Sequence, residues 1–336
     1  MSRLYTFFPL ADSTLPTPSD TPATPKAAPS DLRLRVIWGV IGAVLLLGSV
    51  WFSPWTFGIF FAFVQAVMLW EFYRMMRAGG YAPAMWIGIV ISTLAFATLH
   101  MRQSLAAYLE HIYKAGSQGA SAGYIAVTSG SLVPTLTSEV WFICYDVLLV
   151  IAFLTPVILL LREMRKWPES KQPFVDAAIT LLGLLYVTAP MVMLVLLAFN
   201  RTIYDYRRVF ALLFLIWASD IGAYAVGRTF GKRKLAPKIS PGKTWEGWAG
   251  GFVLTLVVGW AIGYMLPDMP LLHRLVAAGV VAVFAPLGDL AESMLKRSVG
   301  VKDSGSIMPG HGGLLDRFDA FLLVLPVLAL LQLLAG

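Results

Sequence analysis

Cysteine is almost missing from this chain. Cys144 is the only one in 336 residues and lies inside an apolar run, so an internal disulfide and a thiolate metal cluster are both excluded. It reads as a packing residue. Histidine is nearly as scarce: His100, His111 and His273 belong to one side of the apolar segments and His311 to the other, which leaves His311 without partners for a zinc-type site. Charge is the third deficit. Only 13% of residues are Asp, Glu, Lys or Arg, against 58% hydrophobic. Soluble domains carry about 25% charged residues, so a soluble globular class is excluded and a membrane protein is indicated. The chain also lacks the basic-then-apolar order of a cleavable signal at its start. Residues 1–33, with "STLPTPSDTPATPKAAPS", read instead as a disordered cytoplasmic tail.

Long apolar sequence is what the chain has in abundance. A spanning helix needs about 20 mostly apolar residues, and nine segments qualify: 36–52, 55–76, 84–101, 140–161, 177–199, 209–227, 248–266, 271–291 and 318–335. The expected fold is an all-α integral membrane protein with about nine transmembrane helices. Cytoplasmic loops carry the excess of Lys and Arg. If the N-terminus is cytoplasmic, 20 of the 26 basic residues fall on that side. The net charge of +7 then reflects topology, with anionic lipid or phosphate as further partners; nucleic acid is not implied. Residues 103–139 read as a long, mobile outer loop with a short helix near Tyr108 to Tyr113. No internal repeat is evident, which weakens an inverted-repeat transporter reading. Polar motifs crowd the last third, so the expected division is a tail over 1–33, scaffold or lipid-contact helices over 34–200 and a catalytic half over 201–336.

Three motifs carry the chemistry. The first, "SDIGAYAVGRTFGKRKLAPKISPGKTWEG", covers residues 219–247. Asp220, Tyr224, Gly227, Arg228 and Gly231 are spaced for one helical face, and a carboxylate in a membrane helix is costly unless paired or hydrated. The following run of Lys232, Arg233, Lys234, Lys238 and Lys243, interleaved with Pro and Gly, suits a polyphosphate. It is not a nucleotide-binding P-loop, because Pro237 stands where that motif needs glycine. The second motif, "GDLAESMLKR", puts Asp289, Glu292, Ser293 and Lys296 on one helical face. The third, "KDSGSIMPGHGGLLDRFD", ends with Asp316 and Asp319 at the start of the last apolar segment, after a tight "PGHGG" turn. Helix capping accounts for part of it, but not for Lys302, Asp303, His311, Gly312 and Gly313 together. With the expected topology all three motifs meet on the cytoplasmic side. Hard oxygen ligands without a His/Cys cluster suit Mg²⁺ bridging substrate phosphates, the usual parts of phosphoryl-type transfer.

The run from Ser293 to Asp319, "SMLKRSVGVKDSGSIMPGHGGLLDRFD", resembles the signature of the phosphatidate cytidylyltransferases, the CDP-diacylglycerol synthases. "DIGAYAVGRTFGKRKLAPKISPGKTWEG" is similar to a second block of that family. The resemblance implies an integral protein of the bacterial inner membrane with its site facing the cytoplasm. It also implies the reaction of CTP with phosphatidate to give CDP-diacylglycerol and pyrophosphate, with Mg²⁺ and a second, monovalent cation such as K⁺. From the family, Asp289 and Asp316 are metal-site carboxylates; Asp319 and Glu292 are added from helix spacing. Lys243, Lys296, Arg297, Lys302 and Arg317 are candidates for phosphate, His311 with Gly312 and Gly313 for positioning, and Ser240 and Thr244 for hydroxyl contacts. Ala320 stands where relatives carry serine, which puts a hydroxyl contact there in doubt. A homo-oligomer is left open. The rivals are a paralogue using another lipid phosphate, an ion-coupled transporter, and the CDP-alcohol phosphatidyltransferases, whose "DGxxAR" motif is absent.

Overall fold

The computed structural model describes residues 29–117, 122–200, 203–305, 307 and 312–334. The expected tail up to residue 28, and His311, lie outside the described residues. Ten α-helices carry the chain: α1 (Pro29–Phe52), α2 (Pro54–Ala78), α3 (Met85–Ser117), α4 (Ala122–Lys166), α5 (Pro173–Gly183), α6 (Ala189–Ala198), α7 (Tyr206–Phe230), α8 (Trp245–Ala261), α9 (Leu271–Ser298) and α10 (Leu315–Leu334). A π-helical turn, Leu184–Thr188, joins α5 to α6 without a break. Sheet is confined, among the described residues, to two antiparallel ribbons: β1 (Phe199–Asn200) with β2 (Ile203–Tyr204), and β3 (Lys234–Ala236) with β4 (Ser240–Thr244). The protein is therefore an all-α membrane fold.

Among the described residues each of the nine apolar segments lies mostly on helix. Seven helical stretches among the described residues are long and apolar enough to cross a membrane: 54–78, 85–110, 142–166, 173–198, 206–230, 245–264 and 271–298. The apolar part of α1, Val36–Phe52, is shorter, and α10 opens with Asp316, Arg317 and Asp319. The expected outer loop over 103–139 is corrected. α3 runs on to Ser117 and α4 begins at Ala122, so both helices continue past their apolar stretches. The sequence there changes from apolar to polar while keeping good helix formers such as the Ala, Leu, Glu and Gln of "QSLAAYLE"; polarity marks the membrane boundary and not the end of a helix.

Local signals set the entries. Ser53 caps α2, accepting from the Thr56 amide at 3.1 Å while Thr56 returns the bond to the Ser53 amide, and Pro54 follows at a position where its missing N–H costs nothing. α2 is the central helix. Phe57, Phe61, Met68, Leu69 and Phe72 are fully buried, in one cluster with Met191, Leu194 and Val195 of α6 and Phe321, Leu322 and Leu325 of α10. Lipid tails are as apolar as these side chains, so close packing and internal hydrogen bonds hold such a core together. Gln65 accordingly donates to the Ser92 carbonyl at 2.9 Å, and Tyr73 to the Thr180 carbonyl at 2.7 Å. Phe142, Ile143, Phe153 and Val157 of α4 are exposed, as lipid-facing residues are.

α7 and α8 pack along a glycine seam. A Cβ on Gly222 would lie 2.8 Å from the Gly250 carbonyl oxygen, and one on Gly251 only 2.6 Å from that of Ser219. Small residues at these points let two backbones approach closely, as membrane helix pairs commonly do. The turn of the pair is the β3–β4 ribbon, which carries the basic run at the end of the bundle shared by the last turns of α9 and the first turn of α10.

Candidate active site

The stretch between α9 and α10 is built around two carboxylates. Asp316, in the first turn of α10, accepts at Oδ2 from the Gly313 amide (2.9 Å), the Ser304 amide (3.1 Å) and the Ser304 hydroxyl (3.0 Å). Its Oδ1 takes the Lys296 ammonium at 2.6 Å. Gly312 has φ +79°, a conformation that only glycine adopts without strain, and a Cβ there would also sit 2.7 Å from Asp316 Oδ2. The second carboxylate comes from the other half of the chain. Glu71 of α2 is fully buried and accepts from the amides of Leu314 (3.1 Å) and Leu315 (2.8 Å) and from the Ser304 hydroxyl (3.4 Å). Those amides are the unsatisfied donors at the N-terminus of α10, where the helix dipole favours an anion. Lys296 completes the network by pairing with Glu292 at 2.5 Å.

A second group lies beside this one. Asp220 of α7, Asp289 of α9 and Asp319 of α10 are within electrostatic reach of one another. Lys243 of β4 pairs with Asp289 Oδ2 at 2.6 Å and donates to the Pro286 carbonyl at 3.1 Å. The remaining bonds are sparse: Ser293 donates to Asp289 Oδ1 at 3.3 Å, and Asp319 Oδ1 accepts its neighbour's amide at 2.7 Å. The side chain of Asp289 is 43% exposed against 12% for Asp316, so Asp289 is the more accessible of the two to an external ligand.

Among the described residues no three His, Cys, Asp or Glu side chains stand close enough for a preformed metal cage. An ion that keeps several waters and is bound through one or two carboxylates plus substrate phosphates, as Mg²⁺ is, needs no such cage. Asp289, Asp319 and Asp220 have the charge, the hard oxygens and the unfilled lone pairs for such an ion. Asp316 and Glu292 are already held by Lys296, so the six carboxylates form two groups: Glu71, Glu292 and Asp316 in one, Asp220, Asp289 and Asp319 in the other.

The other expected residues divide by exposure. Lys302 and Arg317 are exposed, and Arg297 reaches the Val301 carbonyl at 3.4 Å. Thr244 is turned inward and caps α8, its hydroxyl accepting the Gly247 amide at 3.1 Å; Ser240 pairs with Ala236 in the ribbon. Glu246 fastens the start of the basic run, accepting the Lys232 amide at 3.0 Å and the Arg233 amide at 3.1 Å, while the side chains of Lys232, Arg233 and Lys234 stay exposed. Two residues escaped the sequence reading. Glu71 had a signal, since an ionisable residue within an apolar span marks a site. Tyr186, which lies within electrostatic reach of Glu292, Asp319 and Asp289, had none.

Comparison with known proteins places this arrangement. Phosphatidate cytidylyltransferase of Bacillus subtilis (strain 168) is 50% identical over 131 residues, 38% of this chain and 48% of that protein. The Haemophilus influenzae protein of the same name is 45% identical over 129 residues, 36% of this chain and 45% of its own length. That of Staphylococcus saprophyticus is 43% identical over 164 residues, covering 48% and 62%. The matched part thus spans about half the length of these relatives. The family model described as "Cytidylyltransferase family" matches residues 33–334, nearly all of the described helices together with both carboxylate groups, and the chain belongs to the cytidylyltransferase family.

Proposed function

We propose that the protein is a phosphatidate cytidylyltransferase that joins CTP and phosphatidate into CDP-diacylglycerol and releases pyrophosphate. The observation that carries this reading is the convergence of Asp220, Asp289 and Asp319, from three helices, with Lys243 at the bundle end that bears the exposed basic ribbon. A polyanionic nucleotide is drawn to Lys232, Arg233 and Lys234, whose fixed backbone holds the ribbon in place. Its phosphates then reach Lys243, which gives up part of its pairing with Asp289 to meet them. In the transfer, a phosphatidate oxygen forms a bond to the α-phosphorus of CTP while the bond from that phosphorus to the bridging oxygen of pyrophosphate breaks, with the electron pair leaving on pyrophosphate. Mg²⁺, when held by Asp289 and Asp319 with Asp220 nearby, supplies charge neutralisation at the phosphate oxygens. The Asp316–Lys296–Glu292 network fixes α9 against α10 so that the other carboxylates keep their spacing. The monovalent cation implied by the family resemblance would use the same acidic wall.

The reading includes the setting. With nine spans and a cytoplasmic N-terminus, 20 of the 26 basic residues face the cytoplasm, as the positive-inside tendency favours, and the site opens toward soluble CTP at the inner surface of a bacterial plasma membrane. Incubating the purified protein with labelled CTP, phosphatidate and Mg²⁺ tests it. Label is expected in the lipid phase with stoichiometric pyrophosphate; absence of both from folded protein defeats the proposal. Transfer to another lipid phosphate in preference to phosphatidate reassigns the acceptor.

A further inference from the structure

The apolar half of the chain contributes an unspent polar group to the site. In the helical run Pro173–Ala198 the regular pattern is interrupted by the π-helical turn Leu184–Thr188, where the Ala189 amide donates to the Leu184 carbonyl, five residues back. Pro190 explains the interruption: it has no N–H for the Tyr186 carbonyl, and its ring crowds that position, so the helix widens just before it. Such single π turns often occur at functional sites. Here the turn carries Tyr186. Its ring packs on Phe72 at 6.1 Å between centroids, and its hydroxyl oxygen is buried with no hydrogen-bond partner among the described residues. Glu292, Asp319 and Asp289 lie within its electrostatic reach.

Glu292 supplies an independent observation. It is 1% exposed, its Oε2 holds Lys296, and its Oε1 is likewise buried without a partner among the described residues. A buried donor and a buried acceptor therefore stand unused beside the acidic group. Burying either without a partner is costly, and such atoms in a native protein call for an explanation. Position along the chain narrows the ligand. Tyr186 lies about 20 Å along its helical run from Pro173, inside a stretch long and apolar enough to cross a membrane, whereas the side chains of Lys232, Arg233 and Lys234 are exposed. Lys296 is held by both Glu292 and Asp316, and Lys243, beside Asp289, is assigned to the nucleotide. The Tyr186 hydroxyl is a neutral O–H donor free to meet a phosphate oxygen.

We infer that Tyr186 is a lipid-substrate contact: its hydroxyl donates a hydrogen bond to a non-bridging oxygen of the acceptor lipid's phosphate, while the basic ribbon and Lys243 serve the nucleotide. This rests on the proposed function for the identity of the acceptor. Tyr186→Phe removes the hydroxyl and leaves the ring against Phe72. With the purified full chain in mixed micelles, the variant is expected to raise the apparent KM for phosphatidate by about 10- to 100-fold, the loss of one hydrogen bond to a charged group, with the KM for CTP within about twofold of wild type. A second arm needs no turnover: short-chain phosphatidate without CTP should raise the unfolding temperature of wild type, and Tyr186→Phe should lose most of that shift. An unchanged phosphatidate KM overturns the inference, as does a rise confined to CTP, or a lower unfolding temperature with unaltered kinetics, which marks a purely packing hydroxyl. If phosphatidate stabilises wild type and not the variant while neither transfers label, the contact stands and the proposed reaction falls. If it stabilises neither protein, the contact falls.

Discussion

Glu71→Gln is the most informative single change outside the acidic group, because it keeps the shape of the side chain and alters only its charge and donor pattern. The carboxylate of Glu71 accepts from the Leu314 and Leu315 amides and the Ser304 hydroxyl with no exposure to solvent. In the amide variant one oxygen still accepts. The NH₂ group meets the remaining backbone donor, so one charge-assisted bond is lost and an N–H is left unpaired. Hydrogen bonds to charged groups contribute about 1.5–3 kcal/mol and an unsatisfied buried donor costs about 1–3 kcal/mol. Relief of repulsion with the nearby Asp316 offsets part of this, leaving about 2–4 kcal/mol for local opening of the α10 start. Converted at 1.4 kcal/mol per tenfold, amide exchange at Leu314 and Leu315 should accelerate about 30- to 700-fold. Exchange in the α7–α8 pair should not change. Hydrogen–deuterium exchange with peptide-level mass spectrometry on protein in detergent reads both regions at once. Unchanged protection at Leu314 and Leu315 would show that the buried carboxylate does not hold the loop, and the account of how the two halves of the chain are joined would fail.

Asp289→Asn and Asp319→Asn are each expected to lower turnover at least about 100-fold, the loss of several kcal/mol of ion-assisted stabilisation, with a rise in the Mg²⁺ needed for half-activity. Titration of activity with Mg²⁺, and its abolition by a chelator, checks this; full activity in either variant removes that carboxylate from the ion site. Lys243→Ala should raise the apparent KM for CTP about tenfold, as expected for losing a charged contact to phosphate, and an unaltered value moves the contact to another residue. Gly251→Val inserts a side chain where even a Cβ would sit 2.6 Å from the Ser219 carbonyl; a loss of at least about 1–3 kcal/mol is expected from overpacking. Wild-type resistance to denaturation in detergent would show that the seam opens freely.

Much of the helical layout can be read from the sequence, because a lipid solvent forces long apolar runs into helix, and among the described residues the nine apolar segments lie mostly on helices. What resisted reading has specific causes. Residues 103–117 continue α3 although their polarity suggested a loop, since hydropathy reports the surroundings of a helix and not its length. Helical spacing does put Glu292 four residues from Lys296 and Asp289 four from Ser293, and both pairs are made. Which lysine serves which carboxylate across helices depends on the rotation of α9 against α10 and the ribbon. That rotation gives Asp316 to Lys296 and Asp289 to Lys243, a choice no spacing rule contains. Glu71 stands 243 residues from the Leu314 amide it holds, so only tertiary structure joins them.

The glycine seam between α7 and α8 also bears on how the molecule can move. With backbone resting on backbone at Gly222, Gly247 and Gly251, neither helix can slide along the other without collision. The two helices and the ribbon at their tip therefore travel as a single lever, with Asp220 partway along its arm. A tilt of the pair as one unit would displace Asp220 and Lys243 in concert.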